Sequence, residues 1–152
     1  MNIEKIMTKN IIIGNVTDTL HEISTIMKKY DIGFLPIRDQ KKIVGVITDR
    51  DIVINAISNN SNQNDIIDKY ITKNIITINK NEEIKSAIEL MGNHKIKRLI
   101  VTDENKIVGI ISLSDIINYN LDEKIIIENL KKIWEINRNE DLFKTEIDEF
   151  YL

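Results

Sequence analysis

Gly45-Val46-Ile47-Thr48-Asp49-Arg50-Asp51-Ile52 and Gly109-Ile110-Ile111-Ser112-Leu113-Ser114-Asp115-Ile116 describe the same local event twice, 64 residues apart. Each begins with β-branched residues suited to a buried strand. Each then reaches a hydroxyl residue followed three positions later by Asp, the pattern of a capped helix start. Extended outward, residues 3–53 lie on residues 67–117 without a gap, and nineteen of the 51 pairs are identical. Thr8-Lys9-Asn10-Ile11-Ile12 recurs as Thr72-Lys73-Asn74-Ile75-Ile76, and Ile43-Val44-Gly45 as Ile107-Val108-Gly109. The chain is an internal duplication.

Each copy spells out the same elements. An Ile-rich strand (Ile11–Ile13; Ile75–Ile78) leads to a helix start at Thr17 or Asn81, both residue types that cap helices well. Apolar residues then follow at helical spacing: Leu20, Ile23, Ile26, Met27 and Tyr30 in one copy, Ile84, Ala87, Ile88 and Met91 in the other. Two strands come next, Phe34–Arg38 with Ile43–Thr48 and Arg98–Thr102 with Ile107–Ser112. Polar turns at residues 39–42 and 103–106 join them. A second helix opens near Asp51 and Asp115. The order is β-α-β-β-α twice, an α+β or α/β class. Neither copy is large enough to cover its own sheet, so the two are expected to pack as a pseudo-two-fold pair. The expected bounds are repeat 1 at 1–58, a polar linker at 59–64, repeat 2 at 65–120, and a C-terminal helix with an acidic tail at 121–152.

Composition narrows the function. The chain has 152 residues with 42% apolar and 30% charged, a globular balance. Its 35 Ile, 18 Asn and 17 Lys share A/T-rich codons, so single Asn or Lys residues carry little weight. With no Cys, a disulfide scaffold, thiol catalysis and Cys-ligated metal are excluded. His21 and His94 lie on helices of different copies, with no carboxylate at ligand spacing, so no metal is expected. The start Met1-Asn2-Ile3-Glu4-Lys5 has no apolar leader and no stretch reaches a membrane span, which points to a cytoplasmic protein without membrane contact. Net charge is −3, with −4 in residues 121–152 and +1 in the rest, so no basic face suits nucleic acid. The five glycines form no phosphate loop, and no nucleophilic triad is present, so no enzyme is expected.

The repeats resemble a tandem of cystathionine-β-synthase (CBS) domains, the regulatory pair called a Bateman module. The likeness rests on Ile6-Met7-Thr8, on Asp31-Ile32-Gly33-Phe34-Leu35-Pro36-Ile37, and on the Gly45–Ile52 stretch. In the second copy it rests on Ile96-Lys97-Arg98-Leu99-Ile100-Val101 and the Gly109–Ile116 stretch. It covers residues 3 to about 120, and its three motifs occur in order, twice, at one spacing.

Thr48-x-x-Asp51 and Ser112-x-x-Asp115 admit two roles. One is a capping box. The other is a ligand site, where hydroxyl and free amides suit a phosphate and the carboxylate suits a ribose diol. The resemblance implies the second, with each cleft drawing on both copies. Cleft A would then join Thr48 and Asp51 to Ile75, Thr77, Lys97 and Arg98, with Arg98 where some nucleotide-binding pairs place a phosphate-contacting Arg. Cleft B would join Ser112 and Asp115 to Ile11, Ile13, Gly33, Phe34 and Pro36. It lacks a basic residue in that strand, so cleft A should bind more tightly, with Phe34 filling cleft B as an apolar ring.

Residues Leu121–Asn137 read as a helix carrying Ile126, Leu130, Ile133, Trp134 and Ile136, followed by the acidic end Glu146-Ile147-Asp148-Glu149-Phe150-Tyr151-Leu152. Its apolar face should dock on the module, with Trp134 buried. The resemblance implies a stand-alone regulatory module that binds AMP, ADP, ATP or S-adenosylmethionine as a regulatory ligand, without a catalytic cofactor. It also implies a homodimer and a regulated protein partner. The competing expectation is a ligand-free homodimeric assembly module, in which the Thr/Asp and Ser/Asp pairs only cap helices.

Overall fold

A computed structural model describes residues 1–135 of the chain. The elements are β1 (Gly14–Asn15), α1 (Leu20–Tyr30), β2 (Phe34–Asp39), β3 (Lys42–Thr48) and a helical run to Asn59 that begins as α2 (Asp49–Asp51). The second half repeats them as β4 (Thr77–Asn79), α3 (Ile84–His94), β5 (Arg98–Asp103), β6 (Lys106–Ser112) and α4 (Leu113–Ile117), and α5 (Glu123–Ile133) follows. Two three-stranded sheets result, ordered β1-β2-β3 and β4-β5-β6. In each, the first pair is parallel and the second antiparallel, with an irregularity at the same place, Ile37/Arg38 or Val101/Thr102. The expected mixed α and β class, the twofold β-α-β-β-α order and the paired repeats are present.

The leading strands lie further along than the run of isoleucines suggests. Sheet pairing begins at Gly14, opposite Ile37, and at Thr77, opposite Ile100. Ile11–Ile13 form no strand, because Ile12 packs into the core and Ile11 borders a cleft instead of a sheet neighbour. Nor do the helices start at Thr17 and Asn81. The Asn15 amide donates to Asp18 Oδ2 at 2.7 Å, and the Asn81 amide donates to Asn79 Oδ1 at 2.9 Å. These side-chain turns hold the backbone out of the helix for two further residues. Thr19 then caps α1 in a reciprocal box with Glu22, while Glu83 precedes α3 without a side-chain cap.

Each helix buries its predicted stripe against its sheet. Leu20, Ile23 and Met27 meet Leu35, Ile37 and Ile47. Ile84, Ala87, Ile88 and Met91 meet Leu99, Val101 and Ile111. Tyr30 is the exception: it stands 46% exposed at the helix end.

The segments that precede the two sheets are exchanged. Ile3 and Met7 sit in the core of the second repeat, whereas Ile67, Tyr70 and Ile71 sit in the core of the first. Backbone pairs fix the crossing. Thr72 exchanges both hydrogen bonds with Val46 of β3, and Thr8 does the same with Ile110 of β6. Gly45 and Gly109 mark where the chains cross. A Cβ on Gly45 would lie 2.8 Å from the Thr72 carbonyl oxygen, and one on Gly109 would lie 2.5 Å from Met7 Sδ. Lys80 pins the N-terminal crossing through Asp103 (2.8 Å) and Glu4 (3.6 Å). The hydrogen bond to Asp103 raises its ammonium pKa above the ordinary 10.5.

α5 packs along α3, placing Ile133 in the core of the second repeat and Leu121, Ile125, Ile126 and Leu130 against it. Asn129 is 3% exposed and lies on Gly92, where a Cβ would come within 2.5 Å of its Oδ1. Gly92 therefore sets how closely the helices approach. Trp134 caps the end of α5 and is 50% exposed, against the expectation of burial. The helix ends one residue before it, so Ile133 takes the inward position and Trp134 turns out. Ile136 and the acidic end from Glu146 lie outside the described residues.

Candidate functional site

β3 ends at Thr48, opposite Phe34 at the start of β2, so the helix start is delivered beside the head of its neighbouring strand. The Thr48 amide and hydroxyl both donate to Asp51 Oδ2, at 2.9 and 2.8 Å, and the Asp51 amide donates back to Thr48 Oγ1 at 3.1 Å. The second repeat reproduces the arrangement. The Ser112 amide and hydroxyl donate to Asp115 Oδ2 at 2.8 and 2.6 Å, and the Asp115 amide donates to Ser112 Oγ at 3.2 Å. Both capping boxes are thus complete. Neither uses Oδ1, which makes no hydrogen bond within the described residues.

The exchange of leading segments turns each helix start into one wall of a cleft. Thr72, through its pairing with Val46, carries Asn74, Ile75 and Ile76 alongside Thr48. The head of β5 closes the far side. The cleft so formed measures about 370 Å³ and contains Thr48, Asp51, Ile75, Lys97 and Arg98, five of the six residues expected in cleft A. Thr77 is not among its walls: the lining stretch ends at Ile76, and Thr77 begins β4 opposite Ile100.

Cleft B is smaller, about 210 Å³, and is built likewise from Thr8, Asn10, Ile11 and Ile12 beside Ser112 and Asp115. Ile11 and Phe34 line it as expected. Ile13, Gly33 and Pro36 do not: Pro36 is buried within β2, and Gly33 borders cleft A. A third hollow, about 450 Å³ along α1 and lined by Asp18, His21 and Glu22, is an open groove with no wall from the second repeat. Within the described residues no cluster of three His, Asp or Glu could hold a metal ion.

Several cleft residues escape sequence reasoning. Arg50 and Asp49 line cleft A from inside the quoted motif, and Lys95 joins them from the end of α3. Asp31, the residue matched to Lys95, lines cleft B. Both adopt a left-handed backbone, φ 52° and 55°, that ends the helix and aims the side chain at the cleft. Arg98 and Phe34 line both clefts, with the guanidinium 6.0 Å from the ring centre. The end of α5 also reaches cleft A: Lys97 lies 4.8 Å over the Trp134 ring, and Lys95 pairs with Glu135 at 3.3 Å.

Two repeats that exchange their leading segments and enclose two matched clefts define a duplicated α+β module. The family model described as CBS domain matches residues 3–57 and 65–122, and the chain belongs to the CBS-domain family. It is 27% identical over 115 residues to the CBS domain-containing protein YhcV of Bacillus subtilis, covering 76% of this chain and 82% of that one. The conserved CBS domain protein TA0289 of Thermoplasma acidophilum matches with a TM-score of 0.78 and 25% identity, over 87% of this chain and 75% of that one. The CBS domain pair of protein MJ0100, solved in complex with 5′-methylthioadenosine and S-adenosyl-L-methionine, matches with a TM-score of 0.70 and 29% identity, over 78% and 94%. No described helix is long and apolar enough to cross a membrane.

Proposed function

We propose that this CBS pair is a regulatory module that binds an adenosine-containing ligand between its repeats, with cleft A as the principal site. The observation that carries this reading is the convergence of Thr48, Asp51 and Arg98 on one cleft from two repeats. In it the Asp51 carboxylate keeps one oxygen outside its capping box beside the Thr48 hydroxyl, and the cationic Lys97 and Arg98 line the same cleft. That set suits a ribose diol and an anionic group at the two ends of one molecule. The protein MJ0100, of the same family and fold, supports adenosine as the common part of the ligand. Bound between two repeats, such a ligand favours whichever packing of the pair it contacts better, and a regulated partner would read that packing.

Isothermal titration calorimetry with AMP, ADP, ATP and S-adenosylmethionine tests the assignment. Asp51→Ala and Asp115→Ala separate the clefts, with thermal melts to account for the lost caps. Binding is expected in wild type and is expected to weaken most in Asp51→Ala. Unchanged affinity in both variants would remove these residues from the site.

The completeness of both capping boxes favours a second reading, a ligand-free assembly module in which these residues only start helices. Under either reading we infer a homodimer. Val53, Ile54 and Ile57 stand 54%, 50% and 62% exposed along the helical run after Thr48, and Ile117, the residue matched to Val53, is 48% exposed. A second copy would cover this apolar face. Light scattering of Val53→Glu/Ile57→Glu should then report a monomer where the wild type is a dimer.

A further inference from the structure

Among the described residues, Arg98 is the single basic residue that lines cleft B, and it lines cleft A as well. Resting on the adenosine reading above, we propose that the two clefts take ligands of different charge: a phosphate-bearing nucleotide in cleft A, and an uncharged or cationic adenosine compound in cleft B. The argument is one of charge and of sharing. Cleft A is lined by Arg50, Lys95, Lys97 and Arg98 against Asp49 and Asp51, an excess of two positive charges. Glu135, paired with Lys95 at 3.3 Å, lowers that excess to one without entering the cleft. Cleft B sets Asp31 and Asp115 against Arg98 alone, so its balance is negative.

The shared guanidinium sharpens the difference. It rests over the Phe34 ring at the boundary of the clefts, where both are lined by the same two residues. A phosphate in cleft A recruits Arg98 by a charge-assisted contact. Cleft B is then left with two carboxylates and no cation among its lining residues. A second polyanion there meets like charge within about one Debye length, roughly 10 Å at 0.1 M salt. A sulfonium or an uncharged adenosine meets no such penalty. Occupancy of the two clefts is therefore linked: an anion in A favours a cation in B, and the reverse holds by reciprocity.

The duplication supplies a direct test, because Asp31 and Lys95 are matched residues on matched backbone, φ 52° and 55°. Asp31→Lys places in cleft B the cation that cleft A already holds, in a conformation a lysine already adopts. The probes are ATP, adenosine and S-adenosylmethionine, titrated calorimetrically into the full chain. For the wild type, one ATP per chain is expected, and the ATP-saturated protein still binds one adenosine or S-adenosylmethionine. Asp115→Ala should abolish that second event and leave ATP affinity in place. Arg98→Ala should weaken ATP by roughly ten- to hundredfold while keeping one site. Asp31→Lys should add a second ATP per chain. Two ATP molecules of similar affinity on the wild-type chain, or loss of all ATP binding in Asp115→Ala, would overturn the charge partition while leaving the adenosine reading standing. If none of the three probes binds at millimolar concentration, the adenosine reading itself fails and the partition falls with it.

Discussion

The Arg98 guanidinium stands 6.0 Å from the centre of the Phe34 ring, and the two residues occupy the same position of the two repeats. Each heads the second strand of its sheet and lies opposite the hydroxyl residue that opens the following helix, Phe34 opposite Thr48 and Arg98 opposite Ser112. Two residues related by the duplication thus meet each other near its pseudo-two-fold axis. Identical arginines there would repel, whereas a guanidinium over an aromatic face is attractive by about 0.5–1 kcal/mol at an exposed site. The repeats have diverged where symmetry would have been costly; the clefts share this pair, and their different charge comes from other positions, Arg50, Lys95 and Lys97 in cleft A against Asp31 in cleft B.

Phe34→Ala removes the ring from both clefts and frees the guanidinium. Phe34 is only half-buried, so a loss of about 1–2 kcal/mol is expected, below the value for a fully buried aromatic. Urea denaturation measures it. Cleft B gains room but no cation, so calorimetry should still count one ATP per chain. A second ATP in this variant would show that bulk, not charge, limits cleft B.

Gly45→Ala tests the exchanged leading segments. The new methyl would approach the Thr72 carbonyl oxygen to 2.8 Å and Ile71 Cδ1 to 3.1 Å, so backbone must move. A destabilisation of about 1–3 kcal/mol is expected, as for other overpacked cores. Gly109→Ala should cost less, since its nearest neighbour at 2.5 Å is the flexible Met7 thioether. Equal, negligible losses in both would mean that the crossings are looser than their geometry.

Much of this arrangement is legible in the sequence. The duplication, the hairpins and the two capping boxes follow from hydrophobic alternation and from Thr48-x-x-Asp51 and Ser112-x-x-Asp115. The helix starts are misread because Thr17 and Asn81 look like caps, while the adjacent Asp18 and Asn79 turns hold them outside. The exchange of Ile3 and Met7 for Ile67 and Ile71 is invisible to pattern, since an apolar residue fits either core equally well. Lys95 and Asp31 are missed for a related reason. Their place in the clefts depends on a left-handed backbone at a helix end, where no glycine advertises it.

Glu22 confers a pH dependence at the acid side. Its carboxylate accepts from the Thr19 amide at 2.8 Å and the Thr19 hydroxyl at 3.0 Å, which lowers its pKa below the ordinary 4.5. The contribution is fully present above pH 4.5 and is lost as pH falls through the lower folded value. Urea midpoints of wild type and Glu22→Gln should therefore differ near pH 7 and converge on acidification. Thr19→Ala, which removes the cap itself, should cost about 1 kcal/mol near neutral pH. A wild-type–Gln difference that stays constant down to pH 3 would contradict the linkage.

Trp134 offers an optical readout of cleft A. It is the single Trp of the chain, half exposed at the end of α5, and its ring lies 4.8 Å beneath the ammonium of Lys97, a cleft A residue. Its emission should be that of a water-exposed indole and should be quenched readily by iodide, which the neighbouring Lys97 attracts. A phosphate in cleft A competes for that ammonium, so ATP should shift or rescale the emission in wild type, and Lys97→Ala should abolish the response. Truncation after residue 120 tests the other half of the relationship. It removes Leu121, Ile125, Ile126, Leu130 and Ile133 from the second core, and a fully buried side chain of this kind stabilises by about 1.5–3 kcal/mol. The melting temperature should fall accordingly. If ATP binds by calorimetry while Trp134 emission stays unchanged, Lys97 does not take part in holding the nucleotide, and the end of α5 does not report on the cleft beside it.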